Sequence, residues 1–485
     1  MPVSPYYRPS TRHADLGDRF FDVVEAAKFP RHTVRFRNQA WADRVGLGGL
    51  SEPEWIAHFG AFVPLPGSFV EPLALRYHGH QFRHYNPDLG DGRGFLFAQL
   101  HDLRDGRLLD LGTKGSGTTP WSRGGDGRLT LKGGVREVLA TAMLEAHGVN
   151  TSKTFSLIET GEDLVRGDEP SPTRSAVMVR LNHSHIRFGS FQRLSHLNDT
   201  EGVRLLMDHT IRNHMPDIWA DDPAVRTAAF LGRVADNVAA MGAGWMAAGF
   251  VHGVLNTDNM NVTGESFDYG PWRWLPTYRP EFTAAYFDEN GLYAYGRQPE
   301  TLLWNLARLG GCLLELADKA ALEAVLAPFW SRLHAEFAAA VVRRLGLQSG
   351  GAEADAELAR LLYAFMGDSQ APYEQVFFDW FTGAAAGARA KAGPNAAFYA
   401  MEAFAPVVEA LAAYAPAEGA TRDHPYFQAA SPCTLVIDEV ERLWAPIAEH
   451  DDWSLLEAKL AHIHQMAEAY GTLPAPVEPR DGTFA

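Results

Sequence analysis

The residues of this chain best suited to chemistry lie between Val251 and Gly270. Val251-His252-Gly253-Val254-Leu255-Asn256-Thr257-Asp258-Asn259-Met260 is followed, nine residues after Asn259, by Asp268-Tyr269-Gly270. An Asn and an Asp are hard oxygen donors, and such a pair can hold a divalent cation on the phosphates of a nucleotide. A carboxylate beside them can take the proton of an acceptor hydroxyl. Asn259 and Asp268 are therefore the candidate metal ligands and Asp258 the candidate base.

Protein kinases place the catalytic Asp five residues before the metal-binding Asn. Here that place is Val254, and the nearest carboxylate is Asp258. The displaced base points to nucleotide chemistry other than ordinary phosphorylation. Upstream, Gly90-Asp91-Gly92-Arg93-Gly94 frees backbone N–H groups to approach phosphate, with Arg93 as a charged donor. Lys114 follows, in Gly112-Thr113-Lys114-Gly115, and then Glu137, a residue that can orient the lysine. Arg180 and Arg187 flank Leu181 to Ile186 and can hold phosphates by charge-assisted bonds. Asp126-Gly127 in a second glycine-rich turn can close over the nucleotide from another side. Taken singly, each has an ordinary explanation: a plain hairpin, a solvated lysine, a wet helix face, surface arginines. Their order along the chain is what favours a site.

Those residues need elements to carry them. Phe95 to Leu100 is an apolar run suited to a buried strand, Asp105-Gly106 a tight-turn pair, and Leu108 to Lys114 the returning strand. Gly134 to His147 predicts a helix, with Val135, Val138, Leu139, Ala142, Met143 and Ala146 on one face and Gly148 as its stop. Val177 to Arg180 predicts another strand. Beyond it the chain reads as mostly helical: Asp222-Pro223 opens a helix through Met246, and Thr301 to Leu316 and an Ala-rich stretch from about 350 to 470 supply more. Loops are expected near Gly393-Pro394 and from Ala415 to Thr421, and the Pro-rich tail from Leu473 as weakly ordered.

Composition narrows the function classes. A formal charge of −16 argues against a nucleic-acid partner, whose phosphates demand clustered Lys and Arg. No apolar run approaches the roughly 18 residues a membrane span requires, and the first residues lack a signal-peptide core. Cys312 and Cys433 have no metal-type spacing and read as reduced thiols, which fits a cytoplasmic location. His78, His80 and His84 lack a fourth ligand for zinc and read as packing or bracing groups, as does His252 ahead of the Asp258 loop.

The motifs resemble those of the selenoprotein-O (SelO) family, protein-kinase-like proteins that act as protein adenylyltransferases. The resemblance rests on Tyr77-His78-Gly79-His80-Gln81-Phe82, Leu89 to Arg93, Thr119-Pro120-Trp121-Ser122-Arg123 with Gly125-Asp126-Gly127-Arg128, Ser184 to Gly189, His252 to Met260 with Asp268-Tyr269-Gly270-Pro271, and Gln298-Pro299 with Trp304-Asn305-Leu306. It covers about residues 1 to 320. Departures are Arg83 and Thr113, where the family usually has Gly and Leu, and a C-terminal end, Glu478 to Ala485, without the Cys or selenocysteine of many members.

The resemblance implies an α+β, protein-kinase-like two-lobe fold: an N-terminal extension over 1–75, an N-lobe over 76–180, a C-lobe over 181–345 and a helical C-terminal region over 346–485. It implies ATP as substrate, bound with its triphosphate turned inward, and AMP transferred to Ser, Thr or Tyr hydroxyls of proteins. Lys114, Arg180 and Arg187 would hold the buried phosphates, with Gly90, Gly92, Arg93, Asp126 and Gly127 contacting the nucleotide and Glu137 orienting Lys114. Asn259 and Asp268 would bind Mg²⁺ (or Mn²⁺, an equally oxygen-liking cation), and Asp258 would be the base. The residues themselves leave two other readings open: a phosphotransferase acting on the γ-phosphate, and a silent nucleotide-binding regulator.

Overall fold

The computed structural model describes residues 3–167 and 169–473. The reading of the tail beyond Leu473, including its thiol-free end, lies outside the described residues. Those residues form a mixed α/β structure around a nine-stranded antiparallel sheet. Its main path runs Phe21–Val23, Leu73–Leu75, Leu96–His101, Leu108–Lys114, Thr173–Asn182, Lys153–Leu164, Thr33–Arg37.

Both faces of the sheet are covered, so its central strands are continuous apolar runs rather than half-polar ones. Val177, Val179, Leu181, Leu109 and Leu111 pack into an aromatic layer with Trp41, Trp55, Phe59 and Phe155. Ala176 and Met178, pointing the other way, pack beneath Val135, Val138 and Leu139 of the helix Leu131–Ala146. Register then decides what reaches the helix side. Lys114 stands opposite Met178, and Gly112 opposite Arg180. Lys114 and Arg180 thus emerge on the face that the helix covers.

The hairpin 96–114 turns at Asp105-Gly106 as its sequence predicts, with Gly106 at φ +77°. The helix Leu131–Ala146 begins three residues before the expected start because Thr130 caps it, accepting from Gly133 N at 3.1 Å. Asp222 likewise caps Pro223–Ala248, and Gly249, at φ +66°, ends it. This long helix packs against Gln298–Gly311 and Phe329–Arg344 in the helical half of the molecule.

Three features depart from expectation. The stretch 1–75 is woven into the sheet, with Phe21–Val23 at one edge and Thr33–Arg37 at the other. These strands, Phe-Asp-Val and Thr-Val-Arg-Phe-Arg, alternate polar and apolar over only three and five positions, too few to set them apart from loop. The strand Lys153–Leu164 went unpredicted because several of its buried positions are polar. Ser156 Oγ accepts from Trp55 Nε1 at 2.9 Å, and Thr154 Oγ1 from Thr141 Oγ1 at 3.1 Å. The last helices also return to the sheet. Ser454–Ala469 packs along Leu131–Ala146, and Asp451 accepts from Arg35 at 2.9 Å and Arg174 at 2.7 Å.

Five histidines lie buried or half-buried around the buried Asp110: His13, His183, His185, His209 and His214. Asp110 accepts from Gln99 Nε2 at 2.7 Å and from His185 N at 2.8 Å. Burial pushes His183 and His209 down to about 4 and His13 and His214 down to about 3. A histidine depressed in the folded state favours unfolding once pH falls below its unfolded value of roughly 6.5, by about 1.4 kcal/mol per pH unit until the folded value is reached. Buried carboxyls pushed upward act in the opposite sense, so the readout is a difference. His209→Gln is expected to make stability less sensitive to pH between 7 and 5 than in the wild type, by roughly that slope. Denaturant midpoints at three pH values measure it, and parallel pH curves for the two proteins would contradict it.

Candidate active site

The turn that carries Asp268 is the meeting point. Asp268 Oδ1 accepts from Lys114 Nζ at 2.8 Å and from Arg180 Nη1 at 3.2 Å, and Oδ2 from Arg187 Nη1 at 3.3 Å. Lys114 Nζ also bonds Glu137 Oε1 on the covering helix. Burial alone would raise the Asp268 carboxyl, but Lys114, Arg180 and Arg187 outweigh it and hold it well below the usual carboxylate range. Its backbone sits at φ +67°, a region uncommon for any residue but Gly. The three cations persist there because the surrounding contacts fix them. Arg187 lies between the rings of Tyr77 (4.5 Å) and Phe267 (4.7 Å), and Arg180 lies 5.3 Å from Phe267.

The Asp258 loop is braced on every side. Asn305 Nδ2 donates to Leu255 O at 3.0 Å, and Tyr293 OH to Asn256 Oδ1 at 2.7 Å. Thr257 Oγ1 accepts from His80 N at 2.7 Å and donates to Gln192 Oε1 at 2.6 Å. His252 performs the expected bracing: its N–H donates to Gln298 Oε1 and its Nε2 meets Phe267 O, both at 3.0 Å. His78 meets Tyr85 OH at 2.7 Å and His80 meets Gln192 Nε2 at 3.0 Å, so these two also serve as braces. His84 is exposed.

Asp258 sits in the turn Thr257–Asn259, 8% exposed, and its Oδ1 is buried without a partner. Burial pushes its carboxyl up to about 6, against the pull of Arg187. Arg187 Nη1 donates at 2.7 Å to the Asp258 carbonyl, which ties the base to the cation cluster. Asn259 Nδ2 donates to Val254 O at 2.9 Å, leaving its amide oxygen as the group available to a ligand.

The glycine-rich turn is shaped by its neighbours. A Cβ on Gly90 would meet Trp121 Cγ at 2.4 Å, and one on Gly92 would meet Trp121 O at 2.7 Å. Thr119 Oγ1 and Ser122 Oγ donate to Asp91 O at 2.6 Å and Gly92 O at 2.5 Å, fastening the two loops. Arg93 is exposed in this turn, and its carbonyl accepts from Gly115 N at 2.7 Å beside Lys114. Gly127, at φ +67°, lies so close to Gly117 that a Cβ would meet its carbonyl carbon at 2.2 Å. The Asp126 side chain is not gathered into the cluster: it is exposed and paired with Arg166 at 2.8 Å.

Sequence reasoning did not single out Asp91, Tyr77 or Phe267. Asp91 is buried, accepts from Leu75 N at 3.1 Å and stands 3.5 Å from Arg187. Its signal was available, since a carboxylate between two loop glycines faces the same space as their N–H groups. The aromatic pair carried none, as an exposed and a buried ring look alike in sequence.

The donor set suits a metal–nucleotide. Arg180 Nε, Arg187 Nε, Glu137 Oε2 and Asp258 Oδ1 are all buried without a hydrogen-bond partner, although buried polar groups are ordinarily satisfied. Two guanidinium groups and an ammonium gathered around one carboxylate match a polyphosphate. One carboxylate and one amide oxygen match a hard divalent cation whose other ligands come from phosphate and water.

Comparison with known proteins agrees. The profile of the family described as "Protein adenylyltransferase SelO" matches residues 6–464. A protein of Trichormus variabilis named "Protein nucleotidyltransferase YdiU" is 49% identical over 378 residues, 77% of this chain and 76% of the relative. The protein of that name from Gloeobacter violaceus is 44% identical over 458 residues, 92% of each, and that from Vibrio cholerae 37% identical over 366 residues, 74% and 73%. The chain belongs to the SelO family of protein adenylyltransferases.

Proposed function

We propose that this enzyme transfers AMP from ATP to Ser, Thr or Tyr hydroxyls of proteins, releasing pyrophosphate, and that it does so from a kinase-like two-lobe frame divided near residues 75, 180 and 345. The observation that carries the reading is the convergence of Lys114, Arg180 and Arg187 at the deep end of the site, with Asp258 tied to Arg187 through its own carbonyl. The kinase adenine pocket is apolar, whereas this one would draw the β- and γ-phosphates inward and leave the α-phosphate beside Asp258. The same three cations would then stabilise the charge that develops on departing pyrophosphate.

Asn259 and Asp268 would hold Mg²⁺, or Mn²⁺, against the phosphates. The bound cation supplies charge neutralisation at the α-phosphate. Lys114 would move from Asp268 to phosphate, steered by Glu137. Arg93 and the N–H groups of Gly90 and Gly92 would cover the phosphates from the loop, and Asp126 and Gly127 would contact the nucleotide at the outer rim. Asp258, buried and with a free oxygen, would accept the hydroxyl proton as the oxygen attacks the α-phosphorus. Pyrophosphate leaves from the opposite side. Among the described residues no helix is long and apolar enough to cross a membrane. The proposed setting is the cytoplasm, where ATP and free thiols such as Cys312 and Cys433 coexist.

Intact-mass spectrometry of a protein acceptor after incubation with enzyme, Mg²⁺ and ATP tests the reading. An added AMP is expected, and an added phosphate would replace this reading by a phosphotransferase.

A further inference from the structure

The helix Leu131–Ala146 carries a second charged residue next to Glu137, and it too reaches the Asp268 segment. Arg136 Nη2 donates to Gly270 O at 3.2 Å and to Trp272 O at 3.1 Å, and its guanidinium carbon lies 4.5 Å from the Trp272 ring. Among the described residues no carboxylate stands within ion-pair distance of it. Burial and the neighbouring Arg273 push its pKa down to about 10. A half-buried cation that spends its donors on two backbone carbonyls is an expensive way to fasten a loop.

The segment it fastens has reason to need fastening. Asp268 holds φ +67°, and Tyr269 is buried with its OH bonded to Ser266 Oγ at 2.7 Å, but a Cβ on Gly270 would meet nothing within 4 Å, so packing holds the turn at Tyr269 and not at Gly270. Trp272, 1% exposed and 5.0 Å from Trp274, anchors the far side. One helix therefore grips the turn twice: upstream through Glu137, Lys114 and Asp268, downstream through Arg136 and the carbonyls of Gly270 and Trp272.

We propose that Arg136 is a positioning residue for the metal-binding turn, holding the Gly270–Trp272 backbone so that the Asp268 carboxylate faces the cation. This rests on Asp268 being a metal ligand. A planar guanidinium that lies over an indole while one of its nitrogens bonds two carbonyls explains Arg rather than Lys at this place.

The test is a Mn²⁺ titration of ATP-loaded protein followed by electron paramagnetic resonance, with hydrogen exchange of residues 268–274, for wild type, Arg136→Ala, Arg136→Lys and Asp268→Ala. Arg136→Ala is expected to weaken Mn²⁺ about tenfold, the range seen when a group orienting a metal ligand is lost. Exchange should quicken at 268–274 while the helix Leu131–Ala146 stays protected, and Arg136→Lys should recover part of both effects. Wild-type Mn²⁺ affinity and exchange in Arg136→Ala would overturn the proposal, and so would loss of protection throughout the helix, which marks a merely structural role. If Asp268→Ala leaves Mn²⁺ affinity intact, it is the metal assignment that fails.

Discussion

Asp258→Ala is expected to lower the rate of AMP transfer by about 10³-fold, within the range that a positioned general base contributes, while ATP binds as tightly as before or slightly tighter. The sign of the binding effect follows from the site. Asp258 Oδ1 is buried without a partner, and burial has pushed the carboxyl up to about 6. Polyphosphate brought beside it adds further negative charge, so removing the carboxylate relieves repulsion. The turn should survive, because its braces come from Thr257, Asn256 and the Asp258 carbonyl rather than from the side chain. Single-turnover rates and calorimetric affinities on the same preparations check both halves. Wild-type transfer by the variant would remove Asp258 from the reaction.

Lys114→Ala should damage both binding and folding. Its ammonium bonds the buried Glu137 and the partly exposed Asp268, and only Glu137 would be left without a cation, since Asp268 keeps Arg180 and Arg187. Breaking a buried pair by deleting one partner costs roughly 3–5 kcal/mol, because the other charge is left uncompensated. Loss of a charge-assisted bond to phosphate should weaken ATP by about 10- to 100-fold. The double variant Lys114→Ala/Glu137→Gln separates the two effects. It should regain part of the stability by neutralising the stranded acid, without regaining affinity. Equal ATP affinity in wild type and Lys114→Ala would withdraw the lysine from phosphate binding.

The parts of this site legible in sequence were those whose order and residue type are constrained by chemistry. Lys114 closes an apolar strand, Glu137 follows on a helix, and Asn259 and Asp268 stand nine residues apart as the proposed ligands of one cation; the fold brings Lys114, Glu137 and Asp268 into contact. Arg180 and Arg187 could be read only as a flanking pair, since whether an arginine points inward depends on register. Two residues along the strand from Met178 and paired with Gly112, Arg180 falls on the helix face, where His185 fills the space beside Gly112. The first 75 residues were illegible as sheet because the alternation of edge strands of three to five residues is too short to stand out from loop. The return of Ser454–Ala469 to the helix Leu131–Ala146 was invisible for a related reason. Amphipathic periodicity reports that a face is covered, not by what. In Arg136 and Glu137 the charged neighbours look like one wet face, and the structure shows two grips on the Asp268 turn.

The phosphate that becomes covalently attached tests the central claim most directly. Purified protein and a generic protein acceptor would be incubated with Mg²⁺ and either α-labelled or γ-labelled ATP, beside Asp258→Ala. Inward cations that leave the α-phosphate next to Asp258 predict covalent label from the α-position only, lost in the variant. Label from the γ-position only would contradict the account and reverse the phosphate assignments of Lys114, Arg180 and Arg187.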